Sequence, residues 1–213
     1  HPWVGACRYN IGAASWGLGR YQEAEQAYRQ ALPVIEKALG RDHSEAGIIL
    51  DALGVLYKDT ARFGDAEAAL QRALKIANSQ PSPKQSSIAL TLKNLGDLYS
   101  MWGNRAKAEH CLRRAAVVSE RAPRRDPVQF GTILNSLGVL YGSQGEHAKA
   151  EQNWLRALRL QEPALGPTHP DLTPTLTNLG EMKRRMGRYP EAEAYLLRAL
   201  AVLDGSAASE HPY

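Results

Sequence analysis

Six histidines, two cysteines and one dense cationic cluster are the first residues to ask for chemistry. His1, His43, His110, His147, His169 and His211 never fall at the helical spacing that would gather two imidazoles around a metal ion. His1, His169 and His211 are each followed by proline, the pattern of a polar cap before a helix start, which makes them turn residues. Cys7 and Cys111 each stand alone, without zinc-ligand or disulfide-framework spacing, and such isolated thiols fit a reducing, cytoplasmic compartment. Lys183, Arg184, Arg185 and Arg188 could together receive a carboxylate, or could be a solvated helix end whose charge suits the C-terminal dipole. No Gly-rich phosphate loop or nucleophile elbow occurs, and no strand-like stretch would carry one. No catalytic residue, metal or cofactor is therefore expected, and the chain is not expected to be an enzyme.

The bulk properties exclude other classes. A formal charge of +4 is modest for 213 residues, and Lys and Arg are interspersed with Asp and Glu. Even the densest basic stretch, Arg105 to Arg125, is interrupted by Glu109 and Glu120, so nucleic acid is not an expected partner. No apolar run is long enough to cross a bilayer, and the first residues do not read as a basic region followed by an apolar secretory core, although a chain that begins at His1 leaves room for a leader or preceding domain already removed.

The elements that must position any functional residue come from a repeat. Gly12, Gly54, Gly96, Gly138 and Gly180 are each 42 residues apart. A second column, Ala24, Ala66, Ala108, Ala150 and Ala192, is followed every time by glutamate, at Glu25, Glu67, Glu109, Glu151 and Glu193. A third small column is Ala31, Ala73, Ala115, Ala157 and Ala199. Within each unit the apolar residues recur at three and four, as in Leu92, Leu95, Leu98 and Tyr99, which predicts two amphipathic helices per unit. Gly19, Gly103, Gly145 and Gly187 mark the turn between them, with Ala61 breaking the pattern. Small residues let two backbones approach, while Tyr28, Leu70, Leu112, Trp154 and Leu196 form a column of large core knobs. The expected organisation is a single array over 1–213, with repeats at about 1–42, 43–84, 85–126, 127–168 and 169–210 and the start of a sixth at 211–213. Asn78 to Ser87, with Pro81 and Pro83, preserves the phase and reads as an inter-repeat loop.

The column order of Leu92, Leu95, Gly96, Tyr99, Ala108, Leu112 and Ala115 resembles the tetratricopeptide repeat, and the 42-residue period is similar to the kinesin-light-chain variety. The resemblance covers essentially the whole chain. It implies an all-α, right-handed superhelical solenoid of five tetratricopeptide-type hairpins, whose first helices line a concave groove that receives peptides or partner helices. Arg8 departs from the leucine column, and Ser15 and Lys183 depart from the tyrosines of the three middle copies, so the end repeats are atypical.

Carried onto these residues, the family geometry puts the groove positions two before, one after and four after each repeat glycine. The first column contains Asn10, Asn94 and Asn178, whose amides could grip the backbone of an extended peptide. Neighbouring columns contribute Tyr9, Asp51, Lys93 and Asn135, then Asp97 and Glu181, then Trp16, Lys58 and Arg184. The alternative is that the asparagines bond within their own repeats. Loss of Asn94 and Asn178 is expected to weaken binding with little effect on melting. The family's chaperone-binding Lys/Asn/Arg clamp is not reproduced, and chaperone binding is not expected.

The function expected from this reading is a protein–protein interaction scaffold that binds a peptide or protein segment in the groove. The alternative is a peptide-sensing regulatory module that controls a fused or associated effector domain. His211-Pro212 stands in phase with His1-Pro2, and α-helical residues Tyr195, Leu196, Leu200 and Leu203 are expected to leave an apolar face open. Possible association through this C-terminal end, or a longer protein, is the corresponding expectation.

Overall fold

The computed structural model describes residues 1–124 and 126–210, with no account of the side chains of 206–210; the start of a sixth repeat at 211–213 lies outside the described residues. Ten α-helices and one 3-10 turn are present among the described residues: α1 (Pro2–Gly17), α2 (Tyr21–Leu39), α3 (Ser44–Asp59), α4 (Phe63–Ser79), α5 (Gln85–Met101), α6 (Arg105–Glu120), α7 (Pro127–Ser143), α8 (His147–Leu165), the 3-10 turn Pro170–Leu172, α9 (Thr173–Arg185) and α10 (Tyr189–Glu210). Each 42-residue stretch thus holds two helices. The chain divides into two compact units, His1–Ala115 and Ala116–Tyr213, the boundary falling inside α6.

Helix starts follow from the residues before them. The Nδ1 atoms of His1, His43 and His169 accept hydrogen bonds from the backbone N–H of Trp3, Glu45 and Asp171 at 3.4, 3.2 and 3.2 Å. Asp126 Oδ1 does the same for Val128 and Gln129 at 2.9 and 3.1 Å. These histidines are N-caps, satisfying amides that the first helical turn leaves without a partner.

The glycine column has the steric basis its spacing suggests. A Cβ on Gly54 would stand 2.4 Å from Leu70, one on Gly96 2.5 Å from Leu112, and one on Gly138 2.4 Å from the Trp154 ring. Each glycine is therefore the hole for its own hairpin's large knob, and Trp154 is buried as a core residue. The turns between paired helices are left-handed, with φ of +73° at Gly19 and +83° at Gly103. Ala61 takes the same conformation at φ 58°, the one non-glycine residue to do so among the described residues. Its chain is held there by Ala61 N–H to Lys58 O at 3.0 Å and Arg62 N–H to Tyr57 O at 2.8 Å.

Three glutamates of the column, Glu25, Glu67 and Glu151, link successive hairpins, while Glu109 pairs with Arg113 of its own helix at 3.4 Å. Glu67 accepts from the Tyr99 hydroxyl of the next repeat at 2.5 Å and pairs with Lys107 at 3.1 Å. Lys107 also lies 4.8 Å from the centre of the Tyr99 ring. Glu25 pairs with Arg62 at 2.8 Å, and that guanidinium sits 4.3 Å over the Tyr57 ring. In the second unit Lys183 replaces the tyrosine, is only 1% exposed, and reaches Glu151 at 2.5 Å and Glu191 at 3.1 Å. Burial pulls the Lys183 pKa down, but its bonds to the two glutamates outweigh this and leave it above the ordinary lysine value.

Candidate functional site

The first helices of the hairpins bring their polar residues together in pairs that cross from one repeat to the next. In the first unit Asn94 of α5 donates through Nδ2 to Asp51 Oδ2 of α3 at 2.8 Å. In the second unit Asn178 of α9 donates to Asn135 Oδ1 of α7 at 3.1 Å, and the Thr175 hydroxyl donates to the same oxygen at 3.3 Å. The asparagines therefore bond to the preceding repeat, not within their own. Asn94 is only 6% exposed, so it serves as a strut between α3 and α5. Asn178 and Asn135 are half-buried, and Asn10 is exposed on α1.

Residues 51, 91 and 94 recur 84 positions later as 135, 175 and 178. Asp51, Thr91 and Asn94 thus form the same constellation as Asn135, Thr175 and Asn178, with one change. A carboxylate stands in the first unit where a neutral amide stands in the second. Burial is the main influence on Asp51 and raises its pKa, against smaller opposing effects of the Thr91 hydroxyl, the Asn94 amide and the Lys93 ammonium. Oδ1 of Asp51 is buried and has no hydrogen-bond partner among the described residues.

Asp51 also lines a cavity of about 510 Å³ in the first unit. Its walls include Ile48 of α3, Ile76 of α4, Leu90 and Thr91 of α5, and Tyr9 of α1. The inter-repeat loop contributes Pro81 and Ser82. Of the expected groove residues, Tyr9 and Asp51 meet at this cavity, and Asn94 bears on it through Asp51.

The remaining expected residues lie elsewhere and are engaged locally. Lys93 pairs with Asp97 one turn along α5 at 2.9 Å. Lys58 pairs with Asp59 at 3.3 Å, and Asp59 also accepts from the Trp16 indole at 3.1 Å. Arg184 and Arg185 both hold Glu181 at 2.8 Å, pushing its carboxyl down to about 2. Arg188 pairs with Glu191 at 2.5 Å. The cationic cluster of α9 and its following turn is thus matched by the protein's own carboxylates.

Thr91, Ile48 and Leu90 are the site residues that the groove columns did not single out. The 84-residue recurrence of Thr91 at Thr175 is the signal that could have found the first. Among the described residues no group of three or more His, Cys, Asp or Glu side chains could hold a metal ion, and no helix is long and apolar enough to cross a membrane.

The family model described as tetratricopeptide repeat matches residues 4–79, 62–116 and 129–204. The chain belongs to the tetratricopeptide repeat family. Such repeats generally serve as non-enzymatic scaffolds for protein–protein interaction. No curated protein sequence matches. Among solved structures, this tetratricopeptide protein is similar to BtubC (BKLC) from P. vanneervenii at 25% identity, covering 99% of this chain and 84% of that one with a TM-score of 0.75. It is similar to a kinesin-light-chain protein of Podosopora anserina with nearly identical TPR-like repeats, at 17% identity, 97% and 98% coverage and a TM-score of 0.73. The apo form of RapI matches at 18% identity, 97% and 72% coverage and a TM-score of 0.77. The all-α solenoid class and the kinesin-light-chain-like repeat are thereby shared with known structures.

Proposed function

We propose that this chain is a scaffold that binds an extended segment of another protein along the first helices of its hairpins, with the five repeats acting as one array. The observation that carries this reading is the cavity beside Asp51. Ile48, 52% exposed, and Leu90, 41% exposed, flank it on successive first helices. Exposed apolar side chains beside a concave site are the usual anchors for a peptide. Asn10, Asn178, Lys58, Lys93, Asp97, Asn135 and Arg184 contribute as polar contacts along the same helices, while Asn94 holds Asp51 in place.

The test is capture of partners on the immobilised chain beside an Ile48→Glu, Leu90→Glu variant. Both side chains are exposed, so the variant should melt like the parent. A partner retained by the parent and lost from the variant supports the reading. Equal retention by both would remove the site from these helices. The association expected at the C-terminal end is part of the same proposal, with exposed Leu197 and Leu200 of α10 as its contacts. Leu197→Ser, Leu200→Ser should abolish any concentration-dependent sedimentation of the parent.

A further inference from the structure

We propose that the Asp51 cavity accepts a lysine or arginine side chain of the bound segment. This deepens the scaffold reading above and rests on it.

The bridge between neighbouring first helices is built in the second unit by Asn135, a neutral acceptor that takes bonds from Thr175 and Asn178 together. Joining the helices therefore needs no charge. In the first unit the corresponding position carries a carboxylate, and its second oxygen goes without a donor. A buried acceptor left open costs free energy. The charge at Asp51 is thus unexplained by packing and is accounted for by a ligand that supplies the missing donor.

Among the described residues no cation is paired with Asp51 Oδ1. Lys93, the nearest on α5, is held by Asp97, and Lys58 on α3 is held by Asp59. Lys84, the other charged residue among those lining the cavity, is exposed at the N-cap of α5. The χ2 torsion of an aspartate is soft, so Oδ1 can turn toward a donor in the cavity. Ile48, Ile76 and Leu90 offer apolar surface to the methylene stem of a basic residue, while Asp51 receives its charged head. A charge-assisted bond to a carboxylate discriminates against an uncharged side chain of the same length.

The test is selection of displayed random decapeptides on the parent chain and on Asp51→Asn, followed by binding of the selected peptides in solution. Peptides selected on the parent should share one basic position. Replacing that residue by norleucine should weaken binding to the parent by about tenfold or more. The same replacement should change binding to Asp51→Asn by less than about twofold, and the variant, which copies Asn135, should retain its cooperative melt. Peptides that bind without a basic position, or whose norleucine forms lose the same affinity on both proteins, would overturn the basic pocket and leave the scaffold reading standing. Failure of the parent to select any peptide would remove both.

Discussion

Asn94 and Asp51, 43 residues apart in sequence, share a hydrogen bond of 2.8 Å, so the asparagine expected to face a ligand instead ties two repeats together. Asn94→Ala leaves a buried carboxylate without its donor. It should lower stability by about 1–3 kcal/mol. Asn10→Ala, at an exposed position, should stay within about 0.5 kcal/mol. Urea denaturation of the two variants checks the contrast, and equal stabilities would mean that the Asn94 bond contributes nothing.

Asp51→Asn should stabilise the protein, in a pH-dependent way. Burial holds the Asp51 carboxyl above its ordinary range. A group with a raised folded-state pKa binds its proton more tightly in the folded chain. Its contribution is therefore fully favourable below the unfolded pKa and is lost as pH rises through the folded value. The variant should exceed the parent by about 1 kcal/mol at neutral pH. The difference should shrink as pH falls through the raised folded value toward the ordinary aspartate range, and should level off below that range. Melting curves across that window decide it, and a difference that grows with acid would reverse the assigned sign.

Gly96→Leu should be severely destabilising. A Cβ at this position already stands 2.5 Å from Leu112 and 3.4 Å from the Ala108 carbonyl, so a larger group has no direction in which to go. A loss of about 3 kcal/mol or more is expected. Part of it should return in Gly96→Ala, Leu112→Ala, where the knob is removed. Thermal denaturation of the series would expose a wrong packing register if the leucine variant melted like the parent.

Ala61→Gly should stabilise. The left-handed conformation costs an L-residue roughly 1–2 kcal/mol that glycine avoids. Greater freedom of glycine in the unfolded chain returns part of this, for a net gain of about 0.5–1 kcal/mol. A lower melting temperature would show that the methyl group makes contacts worth more than the strain.

Lys183→Met should cost about 2 kcal/mol or more, because Glu151 and Glu191 lose the cation that both share. Lys183→Tyr should be tolerated far better, since it restores the residue that serves at Tyr99 against Glu67. If both variants fell equally, the position would depend on charge itself and not on a donor reaching the glutamate.

The repeated core was legible in the sequence because its cause is local. Gly96 and Leu112 meet within one hairpin, and steric need imposes the same residue types at the same phase in every copy. The polar bridges were harder to read. Asp51 meets Asn94 at a separation of 43 and lies beside Thr91 at 40, offsets that depend on how one hairpin leans on the next. The cationic cluster was ambiguous for the same reason. Lys183 finds Glu151 at 32 residues' distance, across helices whose packing the cluster's own spacing does not encode. Histidine caps stood between these cases: proline after His1 and His169 showed a helix start, but the bond from Nδ1 to the second amide on is a matter of geometry.

The three linking glutamates also precede their donors in the order of synthesis. Glu25 is made before Arg62, Glu67 before Tyr99 and Lys107, and Glu151 before Lys183. The hairpins that carry Glu25, Glu67 and Glu151 therefore leave the ribosome with an acceptor whose donor is not yet made. When the next hairpin emerges, its arginine, tyrosine or lysine closes the link. Each of these three links can thus close as soon as its second hairpin has been made, without waiting for the rest of the chain.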